Sequence, residues 1–195
     1  MLPAVRRGIL GGTFDPPHFA HLVAGEAAYR DLALDVITFI PAGAPWQKAG
    51  REVSAASHRL AMTGLAVAGV EYFEVDDREA RRNGWTYTID TIGSFPASDE
   101  LVLILGADAA RGLPGWQRWE EIKRRAHVAV APRPGVDHTE VEDAVGVAVS
   151  WLDVPDMHLS GTMLRARAAK GKSIRFFVRD RVWDYIIEHG LYADD

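Results

Sequence analysis

Two histidines three residues apart, His18 and His21, follow directly on Gly11-Gly12-Thr13-Phe14-Asp15-Pro16-Pro17. A neutral imidazole can donate a hydrogen bond to an anionic oxygen, and two within one helical turn can grip the same phosphate. The glycines let backbone N–H groups approach a ligand with no Cβ in between. Gly8 to Leu10 precedes them as a short apolar run, and Phe19, Leu22, Val23 and Ala27 fall on one helical face after them. The stretch reads as strand, glycine turn and helix, with the positive helix N-terminus beside an anion. A core histidine in an ordinary turn accounts for one of the two imidazoles and leaves the other unexplained. Metal ligation needs a third ligand at a sensible spacing, and none accompanies them, so the sequence assigns no metal ligand to the protein.

Other polar groups fall where strands should end. Val36 to Ile40 is an apolar run suited to a strand buried on both faces, and Pro41 to Lys48 follows it as a loop. Lys48 is thereby placed for a phosphate contact. Ser54 is expected to cap a helix that buries Leu60 and Val67 and closes at Gly69. Val70 to Val75 alternates as a strand. Trp85 to Thr91 opens a further helix with Ile89, Ile92 and Phe95 apolar, Thr86 or Thr88 being the expected N-cap. Leu101 to Leu105 runs as a buried strand into Gly106-Ala107-Asp108. Asp108 there either receives ribose hydroxyls or caps a helix, and local pattern leaves both open. In Leu113 to Trp119, Trp119 suits helix packing and Trp116 can offer a flat face to a ring. Val128 to Ala131 is another strand, followed by Arg133-Pro134-Gly135. Thr139 to Val145 reads as a helix and Val147 to Val154 as a strand near the sheet edge. Ser160, Thr162 and Arg165 gather hydroxyls and a guanidinium at a second helix N-terminus, a second anion site. Asp180 to His189 forms the final helix, with Val182, Tyr185 and Ile186 inward and Gly190 closing it.

The elements that must position these residues alternate between strand and helix. That order predicts an α/β, Rossmann-like doubly wound fold, its sheet mostly parallel and covered by helices on both faces. With 195 residues, 48% of them hydrophobic, residues 1–195 suit a single domain, of which 159–195 would be a helical part carrying the second phosphate-binding helix end. A net charge of −5 argues against a general nucleic-acid binder, and no stretch is long and apolar enough for a membrane. No signal-peptide pattern occurs, so a cytoplasmic location is expected. With no cysteine, disulfides, thiolate zinc and thiol nucleophiles are excluded. Neither a P-loop nor a G-x-G-x-x-G pattern is present. Cations and N–H groups without an acid/base pair suit transfer of a phosphoryl-type group to an acceptor that is already anionic. Assembly into a homo-oligomer stays open.

Gly11-Gly12-Thr13-Phe14-Asp15-Pro16-Pro17-His18-Phe19-Ala20-His21 resembles the signature of the nucleotidyltransferase superfamily, with Ala20 where that family usually has glycine. The later motifs, Pro41 to Lys48, Trp85 to Thr91, Gly106-Ala107-Asp108, Leu113 to Trp116, Arg133-Pro134-Gly135 and Ser160 to Arg165, are similar to those of the bacterial nicotinate-nucleotide adenylyltransferases. The last of them reads Ser-Gly-Thr where Ser-Ser-Thr is usual. This resemblance implies transfer of the adenylyl group of ATP to nicotinate mononucleotide, with magnesium held mainly by the ATP phosphates. It implies that Gly11, Gly12, Thr13, Phe14, His18, His21, Gly106, Asp108, Ser160, Thr162 and Arg165 bind ATP, the two histidines acting in catalysis. Lys48, Thr86, Thr88, Trp116 and Arg133 are implied on the acceptor side. A pantetheine-phosphate adenylyltransferase and a nucleotide-binding regulator without catalysis remain the alternatives.

Overall fold

The computed structural model describes residues 4–43, 53–82 and 84–193. Six strands form one sheet, all neighbours parallel, in the order β3-β2-β1-β4-β5-β6. They are β1 (Arg6–Gly12), β2 (Val36–Pro41), β3 (Phe73–Val75), β4 (Glu100–Gly106), β5 (Ala126–Ala131) and β6 (Val149–Trp151). Strand order reverses between β1 and β4, and at such a switch point the strand C-termini open a crevice for ligands.

Alternation along the central strands builds the two layers. Leu101, Leu103 and Leu105 of β4 meet Ile9, Ile40, Val128 and Val130 in one apolar cluster, which α3 (Thr88–Gly93), α4 (Ala107–Arg111), α5 (Trp119–Arg125) and α6 (His138–Val145) cover. Val102 and Ile104 point the other way, into a cluster with Leu10, Ile37 and Phe39 under α1 (Phe19–Asp31). A third cluster joins α2 (Ala56–Val67), α7 (Gly161–Ala168) and α8 (Asp180–Glu188) through Met62, Leu164, Val182 and Ile186.

Several local expectations change. The buried face of α1 is Ala24, Gly25, Ala27 and Ala28; Phe19, Leu22 and Val23 are only half-buried. Small residues bring this helix close to the sheet, and a Cβ on Gly25 would stand 3.0 Å from the Phe39 ring. Strand β3 is just three residues, because Val70 and Phe73 donate their N–H groups into tight turns that follow α2. Strand β6 is equally short and lies at the sheet edge, as expected. Leu60 is half-buried; the inward stripe of α2 is Arg59, Met62, Thr63, Ala66 and Val67. Its N-cap is Ala55, while Ser54 works through its backbone, accepting from Arg59 and donating to Asp15. The N-cap of α3 is Tyr87, neither threonine. Among the described residues no helix is long and apolar enough to cross a membrane.

Candidate active site

Strand β1 ends in Gly11-Gly12, and the chain turns through Thr13 to Pro17 into α1. Phe14 enters the left-handed region with φ 51°. Its ring is buried, edge-on to His21 at 4.9 Å between centroids and beside Phe39, so it props the turn from beneath and lines neither cavity described below. Phe14, expected among the ATP-binding residues, thus has its side chain in the core. His18 is the N-cap of α1, and its backbone N–H donates to Nδ1 of His21 at 3.1 Å. Accepting at Nδ1 makes Nε2 the proton-bearing nitrogen of a neutral His21. The two rings stack with centroids 3.8 Å apart. His18 is 2% exposed, and burial, helped by the charge of Arg133, lowers its pKa to about 4. It therefore meets an anion at neutral pH as an uncharged donor.

Two cavities open on either side of the β1 and β4 ends, and Gly11, Leu105 and Ala109 belong to the walls of both. The walls of the first combine His18, His21, Asp108 and Arg133 with an apolar slot of Val23, Ile104, Pro155 and Met157. Asp108 lies in the first turn of α4 and is not its cap; Gly106 holds the N-cap position. The Asp108 side chain is exposed and stands 3.8 Å from Nε of Arg133. Arg133, expected on the acceptor side, sits in this first cavity, where Nη1 also donates to the Leu159 carbonyl at 3.0 Å. Ala20, in place of the usual glycine, lines it too.

The second cavity is lined by Gly12, Thr13, Thr86, Thr88 and Trp116. Gly12 and Thr13, expected with ATP, thus line the second cavity and not the one that holds His18 and His21. Trp116 is half-buried against the core and presents one wall, while Trp119 is buried in packing as expected. Glu79 also borders this cavity and receives the Thr91 hydroxyl at 2.5 Å. Burial pushes its carboxyl upward, against the pull of Thr91 and Thr86 hydrogen bonds. Lys48 lies outside the described residues.

The residues of the second expected anion site lie at the start of α7 and within it. Ser160 is the N-cap, its hydroxyl accepting from the Met163 N–H at 3.2 Å, and Thr162 is exposed. Arg165 donates through Nη1 to the Asp15 carbonyl at 2.7 Å, tying α7 to the β1–α1 turn. A Cβ on Gly161 would stand 2.7 Å from the same carbonyl oxygen. The glycine of Ser-Gly-Thr thus permits a close approach of backbones, and a serine would need the turn to shift.

One organising residue had no part in the sequence reading. Arg59 is 2% exposed and donates to four carbonyls: Ser54 from Nε at 2.9 Å, Thr13 and Ala42 from Nη1 at 2.9 and 2.5 Å, and Gly43 from Nη2 at 2.7 Å. One guanidinium joins the glycine turn to the chain after β2. The signal was present: residues 59, 62, 63, 66 and 67 form a helical stripe with a charge on its apolar face.

The described site is thus a parallel sheet whose switch point opens two crevices, with two stacked imidazoles at a helix N-terminus. The Cytidylyltransferase-like family matches residues 9–167. A relative from Dehalococcoides mccartyi named "Probable nicotinate-nucleotide adenylyltransferase" is 38% identical over 97% of this chain and 98% of its own length. One of the same name from Pseudomonas fluorescens is 40% identical over 96% and 97%. The chain belongs to the nicotinate-nucleotide adenylyltransferase family. A solved structure of the Plasmodium falciparum nicotinic acid mononucleotide adenylyltransferase complexed with NaAD shares the fold, with TM-score 0.79 and 17% identity over 96% of this chain and 97% of that one.

Proposed function

We propose that this protein joins ATP to nicotinate mononucleotide, forming nicotinate adenine dinucleotide and releasing pyrophosphate. The observation that carries the reading is the pair of cavities meeting at Gly11, with His18 and His21 on one side and Trp116, Thr86 and Thr88 on the other. ATP occupies the first cavity, its base in the apolar slot and its ribose toward Asp108. The mononucleotide occupies the second, its pyridine ring against Trp116. A phosphate oxygen of the mononucleotide attacks the α-phosphorus of ATP as the bond to the bridging oxygen of pyrophosphate breaks. The attacking oxygen is already anionic, so no side chain need remove a proton. The Nε2–H of His21 and the imidazole of His18 stabilise charge on the α-phosphate oxygens, while Ser160, Thr162 and Arg165 receive the leaving pyrophosphate.

Among the described residues no group of three or more His, Cys, Asp or Glu side chains could hold a metal ion. We place magnesium on the triphosphate and water, where it would neutralise the departing phosphates. We assign the reaction to the cytoplasm, where its nucleotide substrates are at hand.

The test is incubation of the purified protein with ATP and nicotinate mononucleotide, following dinucleotide and pyrophosphate together. Product only with phosphopantetheine would move the protein to the neighbouring adenylyltransferase class. Nucleotide binding without any product would make it a regulator.

The acid mononucleotide should be preferred to the amide by about tenfold or more in kcat/KM, since charge-assisted hydrogen bonds are roughly twice as strong as neutral ones. Thr88 and the first-turn N–H groups of α3 supply donors, the Thr86 hydroxyl being committed to Glu79. Glu79 opposes a second carboxylate, and the burial that favours its neutral form lessens that opposition. Equal kcat/KM for the two mononucleotides would refute this preference.

Ala20→Gly should change kcat/KM for ATP by less than roughly tenfold, about 1.4 kcal/mol, because the methyl turns beside the phosphates and leaves their donors in place. Glycine costs a helix about 1 kcal/mol relative to alanine, so the melting temperature should fall by about 2–4 °C. Activity present only in the glycine variant would overturn the expectation.

A further inference from the structure

Residues far apart in the chain converge on Asp15, in the turn between β1 and α1. The carboxyl is 2% exposed. Its Oδ1 receives the Tyr192 hydroxyl at 2.7 Å and its Oδ2 the Ser54 N–H at 3.2 Å. The Asp15 carbonyl receives Nη1 of Arg165 at 2.7 Å, yet that same nitrogen stands 3.7 Å from Oδ2. Arg165 thus hydrogen-bonds a neutral oxygen and makes only a long, 3.7 Å ion pair with the carboxylate, whose own hydrogen bonds go to Tyr192 and Ser54.

We infer that Tyr192 is a positioning residue for the nucleotide side of the site, holding the Asp15 carboxylate so that it does not close on Arg165. The inference rests on the proposed role of Arg165 toward the ATP phosphates. A carboxylate deprived of the phenol turns to the nearest cation, which is this guanidinium. A tight carboxylate–guanidinium pair would then compete with the triphosphate for the same donors.

Three observations support a built contact over incidental packing. Tyr192 adopts φ 67°, a left-handed conformation that non-glycine residues rarely take. Such a conformation persists where its surroundings over-determine it. Burial and the adjacent Asp15 push the phenol pKa up, so the hydroxyl stays a donor. Tyr192, Asp15, Ser54 and Arg165 line one cleft, and the Arg165 side chain is partly exposed there.

Tyr192→Phe keeps the ring, which packs in the third apolar cluster, and removes only the oxygen. It should raise KM for ATP about five- to tenfold while KM for nicotinate mononucleotide moves less than about twofold. In an Asp15→Asn background the same change should have less than about a twofold effect, because the competing charge is gone. Melting curves accompany each measurement. Unchanged KM for ATP in folded Tyr192→Phe would overturn the inference, as would KM values for both substrates rising together. An effect of Tyr192→Phe that survives in full in the Asp15→Asn background would also overturn it. Binding of a non-hydrolysable ATP analogue reads the same shift without turnover. If the natural protein makes no dinucleotide, the proposed reaction fails, while weaker analogue binding by Tyr192→Phe still upholds the latch.

Discussion

Replacing His21 by alanine should lower kcat for dinucleotide formation by about a hundred- to a thousand-fold, with KM for ATP changed less than about threefold. Removal of one donor aimed at developing negative charge typically has that magnitude, about 3–4 kcal/mol of transition-state stabilisation. The side chain is built for this use. Its Nδ1 is committed to the His18 N–H at 3.1 Å, which directs the proton to Nε2. Its ring is fixed between the stacked His18 imidazole and the edge of Phe14. A fixed donor gains most when charge grows on the phosphate, and a ground state already solvated gains less. The variant also loses an acceptor at the start of α1, at a cost near 1 kcal/mol in stability. Steady-state kinetics below the melting temperature separate the two effects. A rise in KM for ATP with kcat intact would show that His21 only binds.

Arg59→Met should cost about 3–5 kcal/mol of folding stability, seen as a melting temperature lower by about 10 °C. Methionine fills similar space, so the loss is not one of packing. It comes from the buried carbonyls of Thr13, Ala42, Gly43 and Ser54, which together lose four donors. Arg59→Lys should recover only part of the loss, since a tetrahedral ammonium carries three donors and cannot reproduce the planar fork. Thermal melts of the two variants beside the natural protein decide it. A methionine variant within about 3 °C of the parent would mean that water or a relaxed loop satisfies those carbonyls.

The sheet was legible because β4 and β5 are apolar runs bounded by turn residues, and parallel strands covered on both faces must read so. The first anion site was legible because Gly11, His18 and His21 are close in sequence and one helix end brings them together. Contacts between distant segments were not. Nothing local assigns Asp15 to Ser54, Arg165 and Tyr192, and nothing in Arg133-Pro134-Gly135 says on which side of β4 the arginine emerges. Phe14 sits inside the signature yet serves beneath it, because a left-handed φ turns its ring into the core. The buried stripe of α1 was misread because it is made of alanine and glycine, whose burial reflects close approach more than hydrophobicity. The helix start at Ser160 was legible, since capping is a rule about neighbours in sequence.

The Asp15–Tyr192 hydrogen bond spans 177 positions and the Asp15–Arg165 contact spans 150. A ribosome makes the signature first and these partners last. At about 5–20 residues per second, the roughly 180 residues between them take some ten to forty seconds to make. Throughout that interval a nascent chain can assemble β1, β2 and α1, but the turn above His18 lacks both the arginine and the phenol that hold it. The turn above His18 therefore gains its last partner only when synthesis has passed residue 192 and that segment has folded back, so a chain stalled or cleaved at residue 170 carries the whole signature and Arg165 but lacks the phenol that donates to Oδ1 of Asp15.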